Sequence, residues 1–139
     1  MHLTLANDSE KLGEFLDGIE GSPVISEPGI GDGVVFPLRL VLEELLTNII
    51  KYGYDDRNRH EIEIDMNPSG KGISVRIADD GHPFNPLTEA HKTEIVDSLE
   101  NQEIGGLGIH LVKQMARNLS YHRQAEKNIF EFWIGEDAL

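Results

Sequence analysis

The chain has 139 residues and carries 25 acidic against 12 basic side chains, a formal charge of −13 that repels a phosphate backbone and argues against nucleic acid as a partner. The absence of cysteine removes thiolate chemistry, iron–sulfur ligation and disulfide frameworks, and it is what a reducing, cytoplasmic setting leads one to expect. Hydrophobic content of 39% excludes a disordered acidic tail, no apolar run approaches the roughly 20 residues that span a bilayer, and the length predicts one soluble domain over residues 1–139.

The first expected element is a strand over His2–Ala6 with Leu3 and Leu5 on one face. Asn7 with Glu10 three residues on has the form of a capping box, and Leu12, Phe15, Leu16 and Ile19 recur at helical spacing, predicting a helix of about three turns. Residues 21–33 have the Gly and Pro composition of a loop. A second helix is predicted from about Val34 to Tyr52, apolar on most of its circumference and therefore the central, buried one; Gly53 and the polar run Asp55–Arg59 end it. Next, Ile62, Ile64 and Met66 alternate with acids, and Ile73, Val75 and Ile77 alternate with Ser74, Arg76 and Ala78. Two half-buried strands are expected around a turn at Asn67-Pro68-Ser69-Gly70.

Residues 79–104 show little periodicity beyond one helical turn at Ile95–Leu99, and a structureless stretch of that length predicts a loop that closes over something. Gly105-Gly106-Leu107-Gly108 then opens a helix whose apolar face is Ile109, Leu111, Val112, Met115 and Leu119. The end of the chain predicts a strand near Leu119–Arg123, a turn at Gln124–Lys127 and a strand with Phe130, Phe132 and Ile134 on one face. One-sided strands at both ends with helices between them predict a two-layer α/β sandwich, one mixed and mostly antiparallel sheet covered by helices on a single face.

Three patches are not needed to build such a fold. Glu44 and Asn48, four residues apart, share one face of the central helix, where they form either a buried functional pair or a solvated stripe. Asp79-Asp80-Gly81-His82-Pro83-Phe84 follows a strand; it reads either as a ligand-accepting carboxylate with a close-bending backbone or as a simple Asp-Gly turn. Gly105, Gly106, Leu107 and Gly108 at a helix start let backbone N–H groups approach an anion, although glycines are common there. Neither the G-x-G-x-x-G dinucleotide fingerprint nor a Walker A loop fits.

In this order the three patches resemble the N, G1 and G2 boxes of the GHKL ATP-binding superfamily, and most of all those of the anti-sigma-factor serine/threonine kinases of bacterial partner-switching systems. Glu44 to Tyr54 is similar to the N box, Asp79 to Pro86 to G1, and Gly105 to Gly108 to G2. The resemblance implies ATP and Mg²⁺, with Asn48 holding the metal and Glu44 orienting or deprotonating the nucleophile. It further implies that Asp79 accepts from the adenine amino group with Gly81 beside the base, that residues 85–104 form a lid, and that the glycines cradle phosphate. The partners it implies are a STAS-domain antagonist, a sigma factor and a second copy of the chain in a homodimer. Tyr52 and Ile104 stand where kinases of this group often carry His and Arg, so a nucleotide-binding module that acts by sequestration is the alternative. A histidine-kinase fragment fits less well, because the first 33 residues offer His2 alone and no dimerisation helix.

Overall fold

The computed structural model describes residues 1–85 and 108–135, with Asp32 described by its backbone only. Five strands, β1 (His2–Ala6), β2 (Glu61–Ser69), β3 (Gly72–Asp79), β4 (Arg117–Gln124) and β5 (Lys127–Gly135), form one sheet in the order β1-β2-β3-β5-β4. Every neighbouring pair is antiparallel, so among the described strands the expected mostly antiparallel sheet is wholly antiparallel rather than mixed. Helices α1 (Ser9–Asp17) and α2 (Val35–Tyr52) and the described part of a third, α3, over residues 108–115, supply the second layer.

The register explains the single core. Leu5 pairs with Ile62, Leu3 with Ile64, Ile64 with Ile77, Ile77 with Phe130, and Val75 with Phe132, so paired apolar residues stack into one face. Leu38, Val41, Leu42, Leu45, Leu46 and Ile49 of α2 meet that face, with Leu12 and Leu16 of α1 and Val112 of α3 beside them. On the other face Glu63, Asp65, Arg76 and Glu131 alternate with the core residues, and Lys127 reaches Glu63 at 2.7 Å. Among the described residues no helix is long and apolar enough to cross a membrane.

Several boundaries differ from the sequence expectation for physical reasons. Asp8, not Asn7, caps α1 through the Glu10 N–H at 2.7 Å. Asn7 is held by His60, whose N–H donates to Asn7 Oδ1 and whose carbonyl accepts the Asn7 N–H, so it prolongs the ladder instead. The β2–β3 turn falls at Gly70-Lys71 rather than over residues 67–70, because Gly70 supplies the φ of +61° a two-residue hairpin needs. Pro68 can stay in the strand because it lies past the end of β1, where no ladder partner needs its missing N–H. Leu119 belongs to β4 and not to the apolar face of α3, since the helix stops at residue 115. The expected helical turn at Ile95–Leu99 and all of the expected lid except Asn85 lie outside the described residues.

At the β4–β5 hairpin the two central residues, Ala125 and Glu126, adopt φ of +51° and +63°, a left-handed conformation that costs about 1–2 kcal/mol per residue without glycine. Replacing the pair with Ala125→Asn and Glu126→Gly, the residues such a turn favours, is expected to raise the urea midpoint at unchanged m, a gain of about 1–2 kcal/mol. An unchanged or lowered midpoint would contradict this account of the turn.

Candidate functional site

α2 carries Glu44, Asn48 and Tyr52 at successive four-residue steps, so their side chains follow one edge of the helix over about 12 Å. Leu45, Leu46 and Ile49 are sealed in the core and Glu43 is exposed, which leaves this edge as the border between packed and open surface. Asn48 is buried, and its Nδ2 donates to the Glu44 main-chain oxygen at 2.9 Å and to Glu44 Oε1 at 3.3 Å; neither bond uses its Oδ1. Glu44 and Asn48, placed on one face by their spacing, are thus in contact, Asn48 buried and Glu44 half-buried.

The start of α3 is laid against this pair. A Cβ added to Gly108 would overlap the Glu44 carboxylate, so only glycine lets the helix approach so closely. Gly105, Gly106 and Leu107 lie outside the described residues.

At the other end of the edge, the loop after β3 docks on the end of α2. His82 N–H donates to the Gly53 carbonyl at 3.0 Å, and a Cβ on Gly81 would overlap that same carbonyl oxygen. The fold itself therefore requires glycine at 81. Phe84 is buried with its ring centroid 5.9 Å from that of Tyr52, and His82 meets Phe84 edge-on at 6.0 Å.

Asp79 is the buried carboxylate of this loop, 2% exposed. Its Oδ1 accepts from the Gly81 N–H and from Asn128 Nδ2, both at 2.9 Å. Burial pushes its pKa up from the usual carboxylate range, while the bonds from Asn128 and Gly81 act in the opposite sense.

Asn128, which sequence reasoning missed, is the hub that holds this end together. Its second Nδ2 bond runs to the His82 carbonyl at 2.9 Å, and its Oδ1 accepts from the Tyr121 hydroxyl at 2.5 Å, from Arg123 Nη1 at 3.2 Å and from the Phe84 N–H at 3.3 Å. Arg123 also donates to the Gly81 carbonyl at 2.8 Å. Its one sequence signal was a polar residue heading an apolar strand beside a turn, which is where any hairpin tolerates Asn.

Asp80, next in the chain, belongs to a separate charged chain. His60 places Nε2 2.8 Å from Asp56 Oδ1 and Nδ1 3.2 Å from Asp80 Oδ1, and the Tyr54 ring stacks on the imidazole at 4.3 Å. The Asp56 hydrogen bond raises the His60 pKa, helped by Asp80 and opposed by desolvation, and His60 in turn lowers that of Asp56. The Tyr54 hydroxyl is buried without a hydrogen bond of good geometry among the described residues; burial first, then Asp79 and Asp80, raise its pKa well above the usual phenol value.

A polar helix edge of about 12 Å, with a glycine helix start against Glu44 at one end and a loop holding a buried carboxylate docked at the other, runs along one border of a two-layer sandwich and offers an anion-binding helix start at one end. The chain belongs to the histidine kinase-like ATPase domain family, whose model matches residues 6–133. It is 29% identical over 89 residues to the serine/threonine-protein kinase BtrW of Bordetella bronchiseptica, covering 64% of this chain and 62% of that protein. It is 23% identical over 119 residues to the serine-protein kinase RsbW of Listeria innocua, covering 83% and 76% of the two chains. To RsbW of Bacillus velezensis it is 25% identical over 124 residues, covering 83% and 64%.

Two outcomes follow from this geometry. Asn128→Leu keeps the volume but strands the Asp79, Tyr121 and Arg123 groups, and should cost about 3 kcal/mol in urea denaturation; a loss below about 1 kcal/mol would show that Asn128 is not the hub. The raised His60 pKa makes its stabilisation complete below the ordinary 6.5 and lost as pH rises through the raised value. The lowered Asp56 pKa makes its share complete above the ordinary 3.8 and lost as pH falls through the lowered one. The Tm difference between wild type and His60→Gln should therefore be greatest between about pH 4 and 6.5 and shrink as pH rises further; a pH-independent difference would contradict the pairing.

Proposed function

We propose that the protein is an ATP-dependent serine/threonine kinase that also acts as an anti-sigma factor, phosphorylating a STAS-domain antagonist in the cytoplasm, as a homodimer. The observation that carries the kinase reading is the Glu44 carboxylate held between Asn48 and the glycine start of α3, which sets a base beside a helix N-terminus suited to phosphate. The curated relatives named above are called serine or serine/threonine kinases, which supports the same reading. Because the chain spans 62% of the Bordetella relative, activity and partners rest on the site argument.

In this reading Asn48 Oδ1, not used in its bonds to Glu44, holds Mg²⁺. A single amide oxygen suits an ion that keeps most of its shell in phosphate and water. Bound Mg²⁺ supplies charge neutralisation on the phosphates. Glu44 takes the proton of the attacking serine or threonine hydroxyl. Asp79, one oxygen fixed by Gly81 and Asn128, presents its other oxygen to the adenine amino group, with Gly81 alongside the base. Gly105, Gly106, Leu107 and Gly108 cradle phosphate, and residues 85–104 close as the lid.

One observation favours the second reading, a nucleotide-binding module that acts by sequestration alone. Tyr52, at the position where related kinases often carry His, is packed toward the Phe84 ring.

With a STAS-domain substrate, Glu44→Gln should lose phosphoryl transfer at least about 100-fold while keeping the thermal shift with Mg-ATP, which at 100 times Kd is about 2.7 kcal/mol. Asp79→Asn should lose the shift. Transfer by Glu44→Gln at the wild-type rate would remove Glu44 as the base; a shift in wild type without any transfer would favour the sequestration module.

A further inference from the structure

Away from the nucleotide edge, a cleft of about 450 Å³ opens between the β1–α1 junction, the end of α2 and the loop leading to β2. Its walls include Asn7, Lys11, Tyr54, Arg57, Asn58 and Arg59. The charges around it are unevenly committed. Asp8 is spent on the Glu10 N–H, Asp56 Oδ1 takes both His60 and the Asn58 N–H at 2.9 Å, and Lys11 pairs with Glu14 at 3.4 Å. Arg57 and Arg59, two of the 12 basic side chains in a chain of charge −13, have no hydrogen bond or ion pair among the described residues. Lys51, Lys71, Arg76 and Lys113 are likewise without a hydrogen bond or ion pair among the described residues but line no part of this cleft; what sets Arg57 and Arg59 apart is that they stand two residues apart on one cleft wall, placed for anions from outside.

We propose that this cleft is a docking site for an acidic segment of a partner protein, with Arg57 and Arg59 each pairing with a carboxylate of that segment. Arginine suits the role because its planar fork binds carboxylate bidentately and stays charged at every working pH. Asn58 adds neutral hydrogen-bonding capacity beside them. The position differs from the nucleotide edge: the cleft is walled by Ile50 and Tyr54, whereas that edge carries Glu44, Asn48 and Tyr52. The proposal therefore does not depend on the kinase reading. The chain's own charge acts as a built-in control, because its long-range field repels an acidic peptide and any attraction has to be local.

The test is fluorescence anisotropy of a labelled heptapeptide bearing four glutamates, against the same peptide with glutamines, at about 50 mM salt. The glutamate peptide should bind at least tenfold more tightly than its counterpart, and Arg57→Ala with Arg59→Ala should weaken it at least tenfold while the melting temperature stays unchanged, as expected for exposed side chains without partners. Arg76→Ala, on the far face of the sheet, should leave binding as it is. Equal binding of the two peptides, an unaffected double variant, or an equal loss in Arg76→Ala would overturn the proposal. Complete displacement by about 1 mM pyrophosphate would also overturn it, by giving the arginines to a phosphate ligand.

Discussion

Helix α2 has to bury most of its surface against one face of the sheet while keeping Glu44, Asn48 and Tyr52 on the narrow edge that this packing leaves open. That constraint sets the position of everything else. A helix buried all round could carry no uncompensated carboxylate, because an unpaired charge in a dry core costs several kcal/mol. An amphipathic surface helix would leave Glu44 in water with no neighbour. On the border, Asn48 and the start of α3 can close around the carboxylate without sealing it, and the loop after β3 can settle on the helix end at Gly53.

Much of this could be read in the sequence because the strands are one-sided and the central helix is almost wholly apolar. The period-2 alternation of Ile62 to Met66 and of Ile73 to Ile77 and the density of leucines in α2 left little choice of element or layer. The misreadings share a cause, a competing long-range bond. Asn7 looks like a cap until His60, far along the chain, takes both its main chain and its side chain. Pro68 looks like a turn until β1 proves too short to need its N–H. Asn128, just past the expected turn at Gln124–Lys127, went unnoticed for the same reason, since nothing near it in sequence shows that Asp79 stands opposite. Local spacing brought Glu44 to Asn48, whereas no spacing rule could bring Gly108 to Glu44.

The acidic balance also takes on a different meaning once the residues are placed. Acids outnumber bases seven to one over residues 1–33 and five to one over 81–104, while residues 105–139 carry four of each. The acidic total therefore does not exclude an anionic ligand, because the excess negative charge is concentrated away from the C-terminal third.

The bond between Asp79 and Asn128 joins residues 49 positions apart, at the last register pair of β3 and β5. Hairpins such as β2–β3 and β4–β5 can close early because their turns are short, but the seam between β3 and β5 has to wait for a long loop to close, with the entropy which that entails. The buried Asp79 carboxylate is thus completed by the pairing of its strand with the neighbour more distant in sequence, and two hairpins that have formed separately still lack it. The pairing of β1 with β2 has to close a loop of similar length, so the two hairpins are the local units of the sheet, and the Asp79–Asn128 bond exists only once they have met.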